Sequence, residues 1–262
     1  DTNYSDTTGT GMVAWNWKGG GSGVANTTGD IDVTVSANTT AGFSIIKYVG
    51  EEDPGGTGET IAHGLSQAPE MAIFKNLDDA DDWQIGATPL QPIADGWTKY
   101  LELNNTDAMV DSDSPFRDTA PDASFITIGG SHALNKIGEN IICYAFHSVE
   151  GYSKVGSYTA NNNADGPFIY TGFEPDFVMI KRTDSALGGA NWYIMDDKRP
   201  GYNVDNDILY ANLSNAEGDT DLADIVSNGI KIRTADAGVN ASGGTYIYLA
   251  FAESPFKYSN AR

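Results

Sequence analysis

Three histidines, one cysteine and a scatter of aspartates are the residues of this chain with the clearest chemical reach. His63, His132 and His147 stand far apart, and none falls in an HExxH, CxxC, GxSxG or P-loop pattern. His63 precedes Gly64 and reads as a turn or surface residue, while His147, just past a strand, reads as structural. Cys143 lies between Ile142 and Tyr144 and reads as a buried small hydrophobe rather than a nucleophile. The Gly-rich GGGSG at 19–23 runs into polar chain with no helix start, so it makes a poor phosphate cradle. Carboxylates are the richer material. Asp78, Asp79, Asp81 and Asp82 crowd one loop, and Asp111/Asp113, Asp205/Asp207 and Asp219/Asp221 alternate. Alternating Asp supplies oxygen ligands for Ca²⁺, the one cofactor the sequence leaves open, although no loop has the Gly and closing Glu of an EF-hand. Solvated acidic loops are the competing reading. A glycosidase pair would need a defined separation in space. Aromatic residues such as Tyr152, Phe168 and Tyr170, set among Asn and Asp, could form a sugar-binding platform. Of these aromatics, Tyr202 and Tyr210, read as turn-borne, are the better candidates for an exposed ligand contact. Trp83 and Trp192 recur at one repeat position, which favours core packing.

The elements that must position these groups are strands. The 262 residues include 30 Gly and 13 Tyr, and 40% are hydrophobic. Short apolar runs alternate with Thr, Asn, Asp and Gly turns. A formal net charge of -21 argues against nucleic acid and anionic membranes as partners. The apolar runs are too short to span a bilayer, so no membrane insertion is expected. A single cysteine gives no disulfide framework. The opening residue, Asp1, reads as the start of a processed chain or of a piece of a longer one.

The decisive pattern is a repeat. ENIICYAF (139–146) and GTYIYLAF (244–251) are two versions of one strand, each preceded by a polar loop carrying Asn135 or Asn240. HGLSQAPEMAIFKN (63–76) aligns with TGFEPDFVMIKR (171–182), with Pro69 to Lys75 matching Pro175 to Lys181. Trp83 and Trp192 follow. Tyr48 and Tyr158 end the opening strands, and YLELNNTDA (100–108) parallels ILYANLSNAE (208–217). TGMVAWNW (10–17) is a third, partial copy of the closing strand.

These landmarks predict an all-β fold: two tandem β-sandwich repeats of jelly-roll or concanavalin-like type with an extra N-terminal strand. The expected division is a closing strand of a truncated repeat (1–18), a Gly/Thr/Asn-rich connector (19–41) with a strand at 31–35, and repeats at 42–151 and 152–262. Both faces of the closing strands are apolar, as in strands central to a sandwich. The short join at 149–152 predicts close docking. The orphan strand, with Met12, Val13, Trp15 and Trp17, either lies along the first unit and connector or completes a sheet in another subunit.

VEGYSKVGSYTANNNADGPFIYTGFEPDFVMIKR, NASGGTYIYLAFAESPFKYSNAR, AGFSIIKY and HGLSQAPEMAIFKN resemble a repeat domain of structural proteins from marine tailed bacteriophages, cyanophages among them. The resemblance covers almost the whole chain. It implies a non-enzymatic virion component, a tail fibre or capsid-associated part, that forms homo-oligomers and meets other virion proteins. Proteins of this kind run on upstream, whereas this chain begins inside a repeat. The alternatives are a lectin-like module that binds host surface glycans and, behind it, a polysaccharide hydrolase.

Overall fold

The structure, a computed structural model, describes residues 13–53, 55–91, 95–199, 203 and 207–253. With 40% strand against 5% helix it is all-β, as expected, and every sheet is antiparallel. The first half supplies β1 (Val24–Asn26), β2 (Val33–Asn38), β3 (Phe43–Val49), β4 (Glu59–Ala62), β5 (Met71–Asn76), β6 (Gln84–Ala87), β7 (Lys99–Glu102), β8 (Val110–Asp111), β9 (Phe125–Ile128), a one-turn helix α1 (His132–Asn135) and β10 (Asn140–Phe146). The second supplies β11 (Ser153–Thr159), β12 (Phe168–Tyr170), β13 (Phe177–Arg182), β14 (Trp192–Asp196), β15 (Asp207–Tyr210), β16 (Gly218–Asp219), β17 (Ala223–Val226), β18 (Gly229–Ile232), α2 (Ala237–Asn240) and β19 (Thr245–Phe251).

The two halves repeat one topology. The first large sheet runs β1-β2-β3-β10-β5-β6-β7-β8 and the second β11-β19-β13-β14-β15-β16. Without β1 and β2, the two orders match strand for strand. Each is backed by a small sheet, β4-β9 or β12-β18-β17. The landmark residues are repeated because their bonds are repeated. The Tyr48 hydroxyl donates to the Leu134 carbonyl (2.6 Å), and that of Tyr158 to the Val239 carbonyl (2.7 Å). Asn135 and Asn240 are fully buried, and each side-chain oxygen accepts from backbone beyond the opening strand: Glu51 N–H at 2.8 Å, Asn161 N–H at 2.9 Å. A buried amide replaces the backbone partners that an irregular loop cannot supply itself.

Alternation along the central strands sends side chains to two different cores. Ile46, Phe74, Cys143 and Ala145 pack with Ile61, Ile126 and Ile128 of the small sheet. Val178, Ile180, Tyr248 and Ala250 do the same in the second half, against Ile169, Ile230 and Ile232. Their strand neighbours, including Met71, Ile73 and Phe146 from one large sheet and Met179, Leu249 and Phe251 from the other, form a third core between the sheets. The large sheets are therefore stacked face to face, β-sandwich-like, with the small sheets outside.

Two expectations are revised. Residues 19–41 are more than a connector, because β1 and β2 extend the first large sheet, with β2 pairing β3 along its length. The predicted strand at 31–35 is β2, shifted to Val33–Asn38, and Ile31 forms an isolated parallel bridge to Ile61. The extra N-terminal strand is not formed: residues 13–18 pair with no strand. Their tryptophans bury apolar surface by packing on Phe177 and Phe251 instead.

Candidate functional site

The seam between the large sheets gathers most of the unusual side chains. Trp192, at the start of β14, is fully buried there, and its indole Nε1 donates across the seam to the Glu102 carbonyl at 2.8 Å. Lys181, the penultimate residue of β13, has no exposed surface. Its Nζ donates to the carbonyls of Thr106 (3.3 Å), Asp107 (3.0 Å) and Arg182 (2.7 Å), two of them on the opposite unit. Burial lowers this ammonium to about 8. The Met109 N–H donates to the Thr183 carbonyl at 2.8 Å beside it.

The N-terminal segment closes one mouth of the seam. Trp15 and Trp17 are half-buried with their edges on Phe177, at ring distances of 5.6 and 5.3 Å, and Trp17 also meets Phe251 at 5.5 Å. Trp15 Nε1 donates to Asp196 Oδ2 at 3.2 Å. Val13 is exposed, and Met12 lies outside the described residues. Trp15 and Trp17, expected either along the first unit and connector or in a sheet of another subunit, pack in this chain on the second unit, because Phe177 and Phe251 offer them an aromatic bed. On one side of this strap an apolar cleft of about 430 Å³ reaches Trp83, Tyr144 and Leu103. On the other, a groove of about 350 Å³ holds Tyr152, Asp176, Lys198 and Glu253.

Beside that groove two carboxylates face each other. The Asp197 N–H donates to the Asp176 carbonyl at 3.3 Å, and Lys198 Nζ bonds both side chains, at 2.8 Å to Asp176 and 3.0 Å to Asp197. Burial, with the hydrogen bond and charge of Asp176, raises the Asp197 carboxyl to about 6. The equivalent turn of the first unit has Thr88 donating its N–H to the Glu70 carbonyl at 2.8 Å, with one carboxylate only.

Other sequence candidates resolve differently. Tyr210 is not on a turn. It ends β15, half-buried, with its ring edge-on to Tyr193 at 5.2 Å. Tyr202 lies outside the described residues. His63 is not at the surface: it is fully buried, its Nδ1 accepts from the Leu65 N–H (3.1 Å) and its Nε2 faces the Asp122 carbonyl (3.1 Å). Burial lowers its pKa and these partners fix the neutral ring. Among the described residues, Asp79, Asp81 and Glu139 could converge on a metal ion. The Lys136 ammonium already bridges Asp79 and Glu139, and Lys75 Nζ donates to the Asp79 and Asp81 carbonyls, so the cluster suits lysine better than Ca²⁺. Asp111 lies at a sheet edge, 4.0 Å from Lys99. Sequence reasoning recognised Lys181 as a landmark but missed its bridging role. The signal was a lysine placed directly after the apolar run FVMI.

Residues 1–255 match the family described as Domain of unknown function (DUF7483). The chain belongs to this family. No curated protein and no solved structure matches the chain. The apolar cleft of this DUF7483 domain is lined by both repeats, so it exists only when the two are stacked, whereas the groove is lined by the N-terminal segment and the second repeat.

Proposed function

We propose that this DUF7483 chain is a non-enzymatic structural module of a virion, a tail-fibre or capsid-associated component that works extracellularly by self-assembly and contact with other virion proteins. Two things support this reading: the resemblance carried by stretches such as residues 149–182, and the shared seam core. The seam is the observation that carries it. Two units that could each close their own core are instead fused through a third, which stiffens the pair as a spacer requires. We assign each unit to the jelly-roll or concanavalin-like sandwiches, an assignment a solved relative would test. Antibodies raised against the purified chain should label particles from the source culture in electron micrographs. Particles that stay unlabelled while the protein is found only inside cells would overturn the reading.

A second reading is favoured by the groove at the seam mouth. Trp17 and Tyr152 present rings there beside Asp176, Lys198 and Glu253, the mixture of apolar faces and polar tips that a sugar ring needs. A glycan array probed with the wild type and with Tyr152→Ala tests it. Binding that is lost in the variant supports a glycan contact, and an array with no binding removes this reading.

A further inference from the structure

The two units differ at one sheet edge. In the first, residues 29–31 run along the outer side of β4. The Ile31 N–H donates to the Thr60 carbonyl at 3.2 Å, and the Thr60 N–H donates to Asp30 Oδ2 at 2.9 Å. Ile31 also bridges Ile61 in parallel and is 1% exposed. The edge of β4 is therefore capped by the chain's own N-terminal arm.

Thr60 stands three residues before His63 and Phe168 three before Thr171, the matching turn position, so β12 is the equivalent strand. It bonds β18 through alternate residues: the Ile232 N–H donates to the Pro167 carbonyl and the Thr171 N–H to the Asn228 carbonyl, both at 3.1 Å. Antiparallel alternation then turns the N–H and C=O groups of Phe168 and Tyr170 to the opposite side. Among the described residues, nothing beyond β18 hydrogen-bonds to them. The reason lies in chain length. An arm spanning β1 and β2 precedes the first unit, whereas only residues 147–152 separate β10 from β11. The exposed edge also carries apolar rings, with Phe168 49% and Tyr170 64% exposed on either side of the buried Ile169. The first unit has Thr60 and Ala62 at these positions.

We infer that the β12 edge joins two copies of this chain, antiparallel about a two-fold axis through Ile169. The segment Phe168-Ile169-Tyr170 is nearly palindromic in shape, so the edge complements itself. Phe168 of each copy stands opposite Tyr170 of the other. The outward backbone groups pair, the rings form two cross-strand aromatic contacts, and the three-stranded sheets merge into one of six. Charge selects this face. The chain carries -21 overall, but here Lys231 pairs with Asp165 at 2.6 Å and Arg233 pairs with Asp224. Two copies can meet at this locally neutral patch without stacking like charges, and two-fold pairing closes rather than polymerises. The pairing is tested apart from the virion proposal: labelling of particles decides that proposal, whereas the oligomeric state of the β12 variants decides the pairing.

Sedimentation velocity of the full chain over a concentration series, at 0.15 M and 0.5 M salt, is the test. A monomer–dimer equilibrium is expected, strengthened by salt as the net repulsion is screened. The double variant Phe168→Thr/Tyr170→Ala, which installs the first unit's residues at two exposed positions, should keep its circular dichroism and weaken the dimer at least tenfold. Tyr170→Pro, which removes one outward N–H without entering the core, should do the same. A wild type that is monomeric throughout, or a dimer that survives these variants but dissociates when residues 1–18 are removed, overturns the inference.

Discussion

Lys75 and Lys181 occupy the same position in two copies of one fold and live in different worlds. Lys75 is half-buried and donates to the carbonyls of its own loop, Asp79 and Asp81, while Lys181 is fully buried and donates to carbonyls of the other unit. Trp83 and Trp192 diverge in the same way. Both accept a backbone hydrogen bond from the following strand and both N–H groups bind an Asn side chain, Asn104 or Asn212, yet Trp83 lines an open cleft and Trp192 is sealed in the seam. Local sequence sets the turn and the ladder. The neighbouring unit decides how much water each side chain keeps, and so how much it contributes.

The largest effect should separate the tryptophans. Trp192→Ala empties a fully buried site and strands the Glu102 carbonyl, so it should cost about 3–5 kcal/mol in urea unfolding. Trp83→Ala, at the cleft wall, should cost about 1 kcal/mol. Equal losses would mean the seam is not the tighter environment and would break the comparison.

The lysines come next. Lys181→Met keeps the volume but leaves the carbonyls of Thr106, Asp107 and Arg182 without their donor, for an expected loss of about 2 kcal/mol. Lys75→Met should lose less than about 1 kcal/mol, because water can reach its carbonyls. The pH dependence sharpens the point. The folded pKa of Lys181 is lowered to about 8 from the ordinary 10.5, so between these values the unfolded chain binds more protons. This group's contribution to stability therefore rises with pH across that window. Lys181→Met should flatten the rise and Lys75→Met should leave it. A wild-type curve with no such component, measured as the difference from Lys181→Met, would refute the buried cation.

Much of the fold was legible because repeats expose what backbone geometry requires. The recurring Tyr and Asn are residues whose side chains replace backbone partners, and they recur with the same bonds in both units, whereas the recurring Lys and Trp keep their place in the strand order and change their surroundings. The stacking of the large sheets was harder to read. A strand such as MAIF is apolar on both faces, and nothing in it says whether the second face meets a small sheet or another unit. The same ambiguity hid the site. Trp15 and Trp17 read as a strand seeking a partner because an aromatic alternation looks the same whether it pairs or packs, and only Phe177 and Phe251 in three dimensions decide it. Tyr210 reads as turn-borne, yet β15 continues through it. His63 reads as exposed beside Gly64, but it is fully buried with its ring held by the Asp122 carbonyl and the Leu65 N–H.

The last expected effect has the opposite sign, and it concerns the carboxylate turns. Where the first unit places Thr88 against Glu70, the second places Asp197 against Asp176, which adds a half-buried charge beside another. The Asp197 carboxyl is raised to about 6 from 3.8, so between these values the folded chain binds more protons than the unfolded one. Stability from this group is thus intact at low pH and falls as pH rises through 3.8 to 6. Asp197→Asn keeps an oxygen for Lys198 and removes the charge. It should raise stability by about 1–2 kcal/mol at pH 7.5, after discounting for solvent access and the lysine shared by both groups, and leave it unchanged near pH 4. Thermal melts at the two pH values decide it. A gain of equal size at both would trace to shape rather than charge. A loss at pH 7.5 would mean that the Lys198 bridge outweighs the repulsion, and that the second unit keeps its extra carboxylate for stability.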